Sequence, residues 1–302
     1  MTTMKNDTSI TIRERVAKIG RPTPLVAVIS EPAVLDLEKP AFVVLNSGVM
    51  HHIGTCRLSV KMSRSLAEQG ILAARFDFSG VGDSAPRSGT QSFTASASKE
   101  IVEVLDYLEK SKGIKKFVLC GLCSGADAAY EAAKIDQRIV GMCQIDAYCY
   151  RTWKWNFYHY APKVSSFRWW IMFGKKRYAQ LMKRVTESNG ERVSTEFLEL
   201  PSYVRKFPPR EEIAQGLRQL INRNVALYNI FTNGQKEILN YRHQYVENFP
   251  ELDFADTLKV DYFPESRHII TEPKYQKKVV EEIVNWVLTQ TLHRIPAADW
   301  VN

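Results

Sequence analysis

The chain of 302 residues has no apolar run near the roughly 18–20 residues that a bilayer-spanning helix needs. Its amino terminus, MTTMKNDTSITIRER, carries no apolar core, so no signal peptide is expected there. Cysteine is scarce as well: Cys56, Cys120, Cys123, Cys143 and Cys149 are the five. An odd count without framework spacing excludes a disulfide scaffold and fits reduced thiols in a cytoplasm. Cys120 and Cys123 form a C-x-x-C, but Cys120 ends an apolar run, whereas redox chemistry wants it exposed at a helix start. A structural zinc needs two further ligands at suitable spacing, and none follows, so no metal is expected. Gly80 and Gly82 have no third glycine to complete a dinucleotide loop, and Pro86 comes soon after. No nucleotide or other organic cofactor is expected on that basis.

What is present is a hydrophobic fraction of 45% and a formal charge of +8, with a basic excess between Lys154 and Arg218. Residues 1–9 are polar and read as a disordered tail. Thr11 to Glu31 reads as two strands at a sheet edge, turned by Arg21–Pro24. Ala41–Leu45 is a continuous apolar run, as expected of a strand buried on both faces; Ile71–Phe76, Phe117–Cys120, Ile139–Ile145, Val225–Phe231 and Leu258–Phe263 read as the strands that follow it. Helical periodicity fills the gaps: Arg57–Gln69, Phe93–Lys112, the alanine-rich stretch from Ala126, a helix ending near Asn248, and Pro273–His293. Such alternation implies a mostly parallel sheet with helices on both faces, its active site at the carboxyl ends of the strands.

The pattern breaks over 147–222. Tyr148, Tyr150, Trp153, Trp155, Phe157, Phe167, Trp169, Trp170 and Phe173 crowd its first half, with basic residues between them. This reads as an inserted, mainly helical cap between core segments 10–146 and 223–293, with a tail over 294–302. Its aromatics suit an apolar binding cleft, with Tyr148 and Trp153 as candidate substrate contacts, or the cap's own small core. Basic plus aromatic composition also suits a membrane surface or an acidic carrier protein. No DNA- or RNA-binding motif accompanies it, so no nucleic-acid partner is expected.

The chemistry centres on Gly121-Leu-Cys-Ser-Gly125, between an apolar run and a helix. This is the G-x-nucleophile-x-G of a nucleophile elbow. Cys123 is the expected nucleophile. Ser124 is the alternative register, with Leu122 and Ala126 in the flanking small-residue positions that leucine fits badly. In the chain order nucleophile, acid, base, His268 follows the last strand and is the expected base, ahead of His51 and His52. Glu237, three residues after Gly234, is the expected acid, with Asp146 at the end of the previous strand as the alternative. Two backbone N–H groups should hold the oxyanion, those of Ser124 and of Val49 in the loop after Leu45. Met50 and His51 are expected to line the cleft.

With those residues in view, the chain resembles the α/β-hydrolase fold superfamily over about Ala41–Leu292, interrupted by the cap. More narrowly, Asn46-Ser-Gly, Arg75-Phe-Asp-Phe-Ser-Gly-Val-Gly-Asp-Ser84 and Gly121-Leu-Cys-Ser-Gly-Ala126 resemble exosortase A-associated hydrolases and related serine-aminopeptidase-like enzymes. The resemblance implies an eight-stranded, mostly parallel sheet and an elbow cysteine. It also implies acyl transfer from a small-molecule or carrier-linked ester or thioester. A second reading is an inactive binding or scaffold protein on the same fold.

Overall fold

The structure is a computed structural model and describes residues 12–87, 93–164, 171–172, 175, 178–179, 205 and 207–291. The tail over 1–9, the tail from 294, and Phe167, Trp169, Trp170 and Phe173 lie outside the described residues.

Strands β1 (Arg13–Ile19) and β2 (Leu25–Glu31) form the edge hairpin. Strands β3 (Ala41–Val44), β4 (Ala73–Phe76), β5 (Phe117–Leu122), β6 (Ile139–Ile145), β7 (Ala226–Thr232) and β8 (Leu258–Phe263) complete one sheet of order β1-β2-β4-β3-β5-β6-β7-β8. β2 runs antiparallel to both β1 and β4, and every other pairing is parallel. β3 to β7 are almost wholly buried, which is why their sequences are mostly apolar, with Arg75, Gln144, Asn229 and Thr232 as buried polar exceptions.

Alternation along each strand divides the core. Val118, Cys120 and Leu122 face one layer, with helices α1 (Leu58–Glu68) and α7 (Pro273–Trp286) over them. Phe117 and Leu119 face the other layer, with α2 (Phe93–Lys112) and α3 (Ser124–Ile135). At the antiparallel edge, Arg75 of β4 is buried and donates to Glu14 Oε1 at 2.9 Å and to Ser30 Oγ at 3.2 Å, while Arg64 reaches Glu14 Oε2 at 2.5 Å. Burial alone would raise the Glu14 carboxyl; its bonds to Arg64 and Arg75 outweigh that and hold it down at about 2.

Two expectations shift. Helix α4 (Trp153–Val164) belongs to the insert, but α5 (Arg210–Asn222) buries Ile213, Ala214, Leu217 and Leu220 in the main core. The Tyr130 hydroxyl of α3 donates to the Ile213 carbonyl at 3.1 Å. α5 is thus the crossover helix between β6 and β7, and the insert ends before Arg210 rather than at 222. The helix expected up to Asn248 shrinks to α6 (Gln244–Asn248), because a 3-10 turn at Asn233–Gln235 and further turns take up the preceding chain.

Candidate active site

Cys123 stands between β5 and α3 with φ 55 and ψ −116. A side chain at positive φ is strained, and such strain needs surroundings that enforce it. Here the surroundings are glycines. A Cβ on Gly121 would sit 2.2 Å from the Gly125 backbone, and one on Gly125 would sit 2.4 Å from the Asn46 carbonyl oxygen. The strand, the helix start and the loop after β3 therefore approach at distances only glycine permits. Ser124, by contrast, is already the first helical residue. The apex of the elbow is Cys123.

His268, in the loop after β8, lies beside the thiol and favours its anion. Its Nδ1 lies 2.5 Å from Asp146 Oδ2. Asp146 ends β6 at φ 56 and is fully buried. Thr232 completes its shell, the N–H donating to Oδ1 at 2.8 Å and the hydroxyl to Oδ2 at 2.7 Å. The expected acid is corrected here: Glu237 does not meet His268. Its side chain is exposed, and its carbonyl accepts from Arg151 Nε at 2.6 Å. The loop does pack on the histidine, but through Gly234, where an added Cβ would come within 2.3 Å of His268 Cβ. The turn at Asn233–Gln235 points Gln235 inward, and Gln235 Nε2 donates to the Asp146 carbonyl at 3.2 Å.

The charges reinforce one another. The His268 imidazole is pushed up to about 10, chiefly by Asp146 and then by Cys123, against burial. Burial alone would raise the Cys123 thiol, but His268 and the Arg205 guanidinium outweigh it and hold it below its ordinary value. Burial instead drives the Cys143 and Cys149 thiols up. Cys123 is thereby favoured as an anion where the buried Cys143 and Cys149 are not.

The loop after β3 closes a tight turn beside the elbow. Met50 N–H closes a turn on the Ser47 carbonyl at 3.0 Å, which leaves Val49 at the tip with its side chain 90% exposed. The loop amide brought to the elbow is that of Gly48, which donates to Ser124 Oγ at 2.7 Å. That single N–H is spent on the Ser124 hydroxyl, so the Ser124 amide at the amino end of α3 is the candidate oxyanion donor at the elbow, with the Val49 amide expected from the sequence as the second candidate.

Asp77 staples this loop to the one after β4. Its carboxylate accepts from Asn46 Nδ2 at 2.8 Å, His52 N at 2.6 Å and Asp83 N at 3.0 Å, with His52 Nδ1 at 2.7 Å. His51 Nε2 lies 3.0 Å from Asp83 Oδ2, and its ring packs on that of His52 at 3.9 Å. Among the described residues, His51, His52, Asp77 and Asp83 are the group whose donor atoms could converge on a cation. Asp77 spends both oxygens on these contacts, so the cluster reads as the staple itself. Met50 lines a cavity of about 30 Å³ behind the elbow together with Leu58, Met62 and Leu122, room for a water rather than an acyl chain.

Of the two aromatic contacts expected, Tyr148 is buried, its ring edge-on to that of Phe207. Trp153 is 74% exposed on the outer face of α4. The ring that turns inward is Trp155, two residues on and across the helix, whose Nε1 donates to the Lys236 carbonyl at 3.3 Å. Residues 147–164 contain both, and composition could not rank them.

No protein-family profile matches the chain, and no curated protein matches it. Solved structures do. An esterase from Pyrococcus furiosus superposes with a TM-score of 0.56 at 11% identity, covering 96% of this chain and 95% of that one. Est1E from Butyrivibrio proteoclasticus gives 0.56 at 12% identity, covering 91% and 98%. An α/β serine hydrolase homologue from Coxiella burnetii gives 0.52 at 14% identity, covering 94% and 99%. The fold is that of the α/β hydrolases. Within that fold the elbow, the loop after β8 and the loop after β3 are where nucleophile, base and oxyanion donors are carried. No helix among the described residues is long and apolar enough to cross a membrane.

Proposed function

We propose that this protein is an acyl-transfer enzyme, a hydrolase or acyltransferase, with Cys123 as nucleophile, His268 as proton carrier and Asp146 as the acid that orients it. The observation that carries this reading is the convergence of a strained elbow cysteine on a histidine already bound to a buried carboxylate. The thiolate sulfur attacks the carbonyl carbon of an ester or thioester. A C–S bond forms, and the carbonyl π pair moves to oxygen, where the Ser124 and Val49 N–H groups receive it. Collapse breaks the bond to the leaving group, which takes its proton from the His268 imidazolium. Water or an acceptor alcohol, amine or thiol then gives a proton to His268 and attacks the acyl carbon, and the C–S bond to Cys123 breaks.

The elbow motif resembles that of the exosortase A-associated hydrolases, and a thiolate exchanges acyl groups readily with thioesters. Both favour a carrier-linked or small thioester as substrate. A reduced nucleophile suits the cytoplasm. The basic, aromatic insert suits contact with an anionic membrane surface or acidic carrier protein. Intact mass after incubation with a panel of acyl thioesters and activated esters tests the reading. Wild type should gain the mass of the acyl group, Cys123→Ala should not, and His268→Ala should gain it slowly. Acylation that survives in Cys123→Ala and vanishes in Ser124→Ala would assign the wrong nucleophile. The absence of any adduct or turnover would favour a binding protein on this fold.

A further inference from the structure

Arg205 is a residue of the insert that reaches the core at two points. Its Nε and Nη2 fork onto Asp127 Oδ2 and Oδ1 at 2.7 and 2.5 Å. Its Nη1 donates to the backbone carbonyl of Asp146 at 2.9 Å. The rings of Tyr148 and Phe207 each lie 4.9 Å from the guanidinium carbon, and the two rings meet edge to face. The pair is nearly dry, with side chains 13% and 11% exposed. Asp127 in turn belongs to the first turn of α3, and its N–H donates to the Cys123 carbonyl at 3.1 Å.

We propose that Arg205 is a positioning residue of the site, which locks the insert to the elbow helix and to the acid's backbone and supplies the positive charge that makes the Cys123 sulfur reactive. This rests on Cys123 being the reactive thiol of the proposed function. The argument is one of place and sign. A bidentate arginine–carboxylate pair has fixed geometry, so it ties Asp127, and through it the turn that carries Cys123, to residue 205. The same guanidinium holds the carbonyl of Asp146, whose carboxylate orients His268. One side chain therefore spans nucleophile and acid from outside the sheet. It is also a permanent cation in a low-dielectric setting, linked to the Cys123 backbone through Asp127, and charge is felt further there than in water.

The groups that face Cys123 are His268 from the loop after β8, Arg205 from the insert and Asp127 from α3, with Glu131 and Tyr148 beside Asp127. Arg205 and Asp127 bear on the thiol with opposite sign, and the arginine is the stronger. Opposite signs separate an electrostatic role from a merely structural one. Breaking the bridge from either side disturbs the same contacts. Removing the cation and removing the anion move the thiol in opposite directions only if charge is what matters.

The test is the pH dependence of iodoacetamide labelling at Cys123, read on its own peptide by mass spectrometry, for wild type, Arg205→Met, Arg205→Lys and Asp127→Asn. Near-ultraviolet circular dichroism verifies the fold of each. Arg205→Met should raise the labelling midpoint by about half a pH unit or more, and Asp127→Asn should lower it. Arg205→Lys keeps the charge without the fork, so it should fall nearer wild type than Arg205→Met. Midpoints that move together, or do not move, would overturn the proposal, as would a lysine variant indistinguishable from methionine. Labelling reads the thiol whether or not an acyl group is ever transferred. Failure here therefore leaves the acyl-adduct experiment to decide the proposed function separately.

Discussion

Replacing Asp146 by asparagine alters one buried oxygen and tests the placement of the acid. The carboxylate accepts from the Thr232 N–H, from the Thr232 hydroxyl and, at 2.5 Å, from His268 Nδ1. Thr232 can still donate to the amide oxygen. The amide nitrogen then faces His268 Nδ1, and two donors meet. The imidazole must lose its Nδ1 proton or turn away, and in the first case its remaining proton sits on the nitrogen that faces the thiol. The charge-assisted bond alone is worth about 1.5–3 kcal/mol, which corresponds to roughly 10- to 150-fold in rate. A wrong tautomer costs up to about 10⁴-fold in serine triads. A thiolate needs less help than an alkoxide, so a loss of about 10²-fold is expected in the acylation rate constant from a stopped-flow burst with an activated ester. Glu237→Gln, measured beside it, should stay within about twofold of wild type, because that side chain meets solvent. A full-rate Asp146→Asn with a crippled Glu237→Gln would refute the assignment and the geometry behind it.

Gly125→Ala should destabilise the protein by about 1–3 kcal/mol in urea denaturation and also depress acylation, because its Cβ would press the Asn46 carbonyl and displace the loop that carries Val49. Site-resolved alkylation should show Cys123 reacting at lower pH than the same peptide in denaturant, whose midpoint should lie near about 8.5. His268 has its pKa raised, so its contribution to stability is complete below 6.5 and disappears as pH rises through about 10; in His268→Gln that alkaline loss should vanish. Glu14 works in the other direction. Its carboxyl is held at about 2, so the stability it contributes, at most about 3 kcal/mol, is present above 4.5 and lost as pH falls toward 2. Glu14→Gln should therefore unfold at lower urea than wild type at pH 7 and lose much of that deficit at pH 3.

The parallel core was legible because burial on both faces leaves little room for polar residues, and β3 to β7 are mostly apolar. The elbow was legible for a related reason: the backbone contacts at Gly121 and Gly125 exclude any side chain, so the glycines mark the geometry from the sequence alone. The acid was less so. Loop position favoured Glu237, but which way a side chain points is set by a turn three residues earlier. The signal for Asp146 was its flanks: a carboxylate between Ile145 and Ala147 at the end of a buried strand needs partners. Arg205 carried no signal at all, being one basic residue among many in a segment without periodicity. α5 was misplaced because its amphipathic face has the same pattern whether it covers a cap or a sheet.

The clasp of Gly125 on the Asn46 carbonyl has one more consequence. Nucleophile turn, helix start and loop after β3 form a block whose shape does not depend on which atom sits at the tip of residue 123. Cys123→Ser would exchange sulfur for oxygen inside a fixed mould, with the same histidine, carboxylate and amides around it. Here a single atom separates the two chemistries, and any difference in rate, leaving group or pH range belongs to the element.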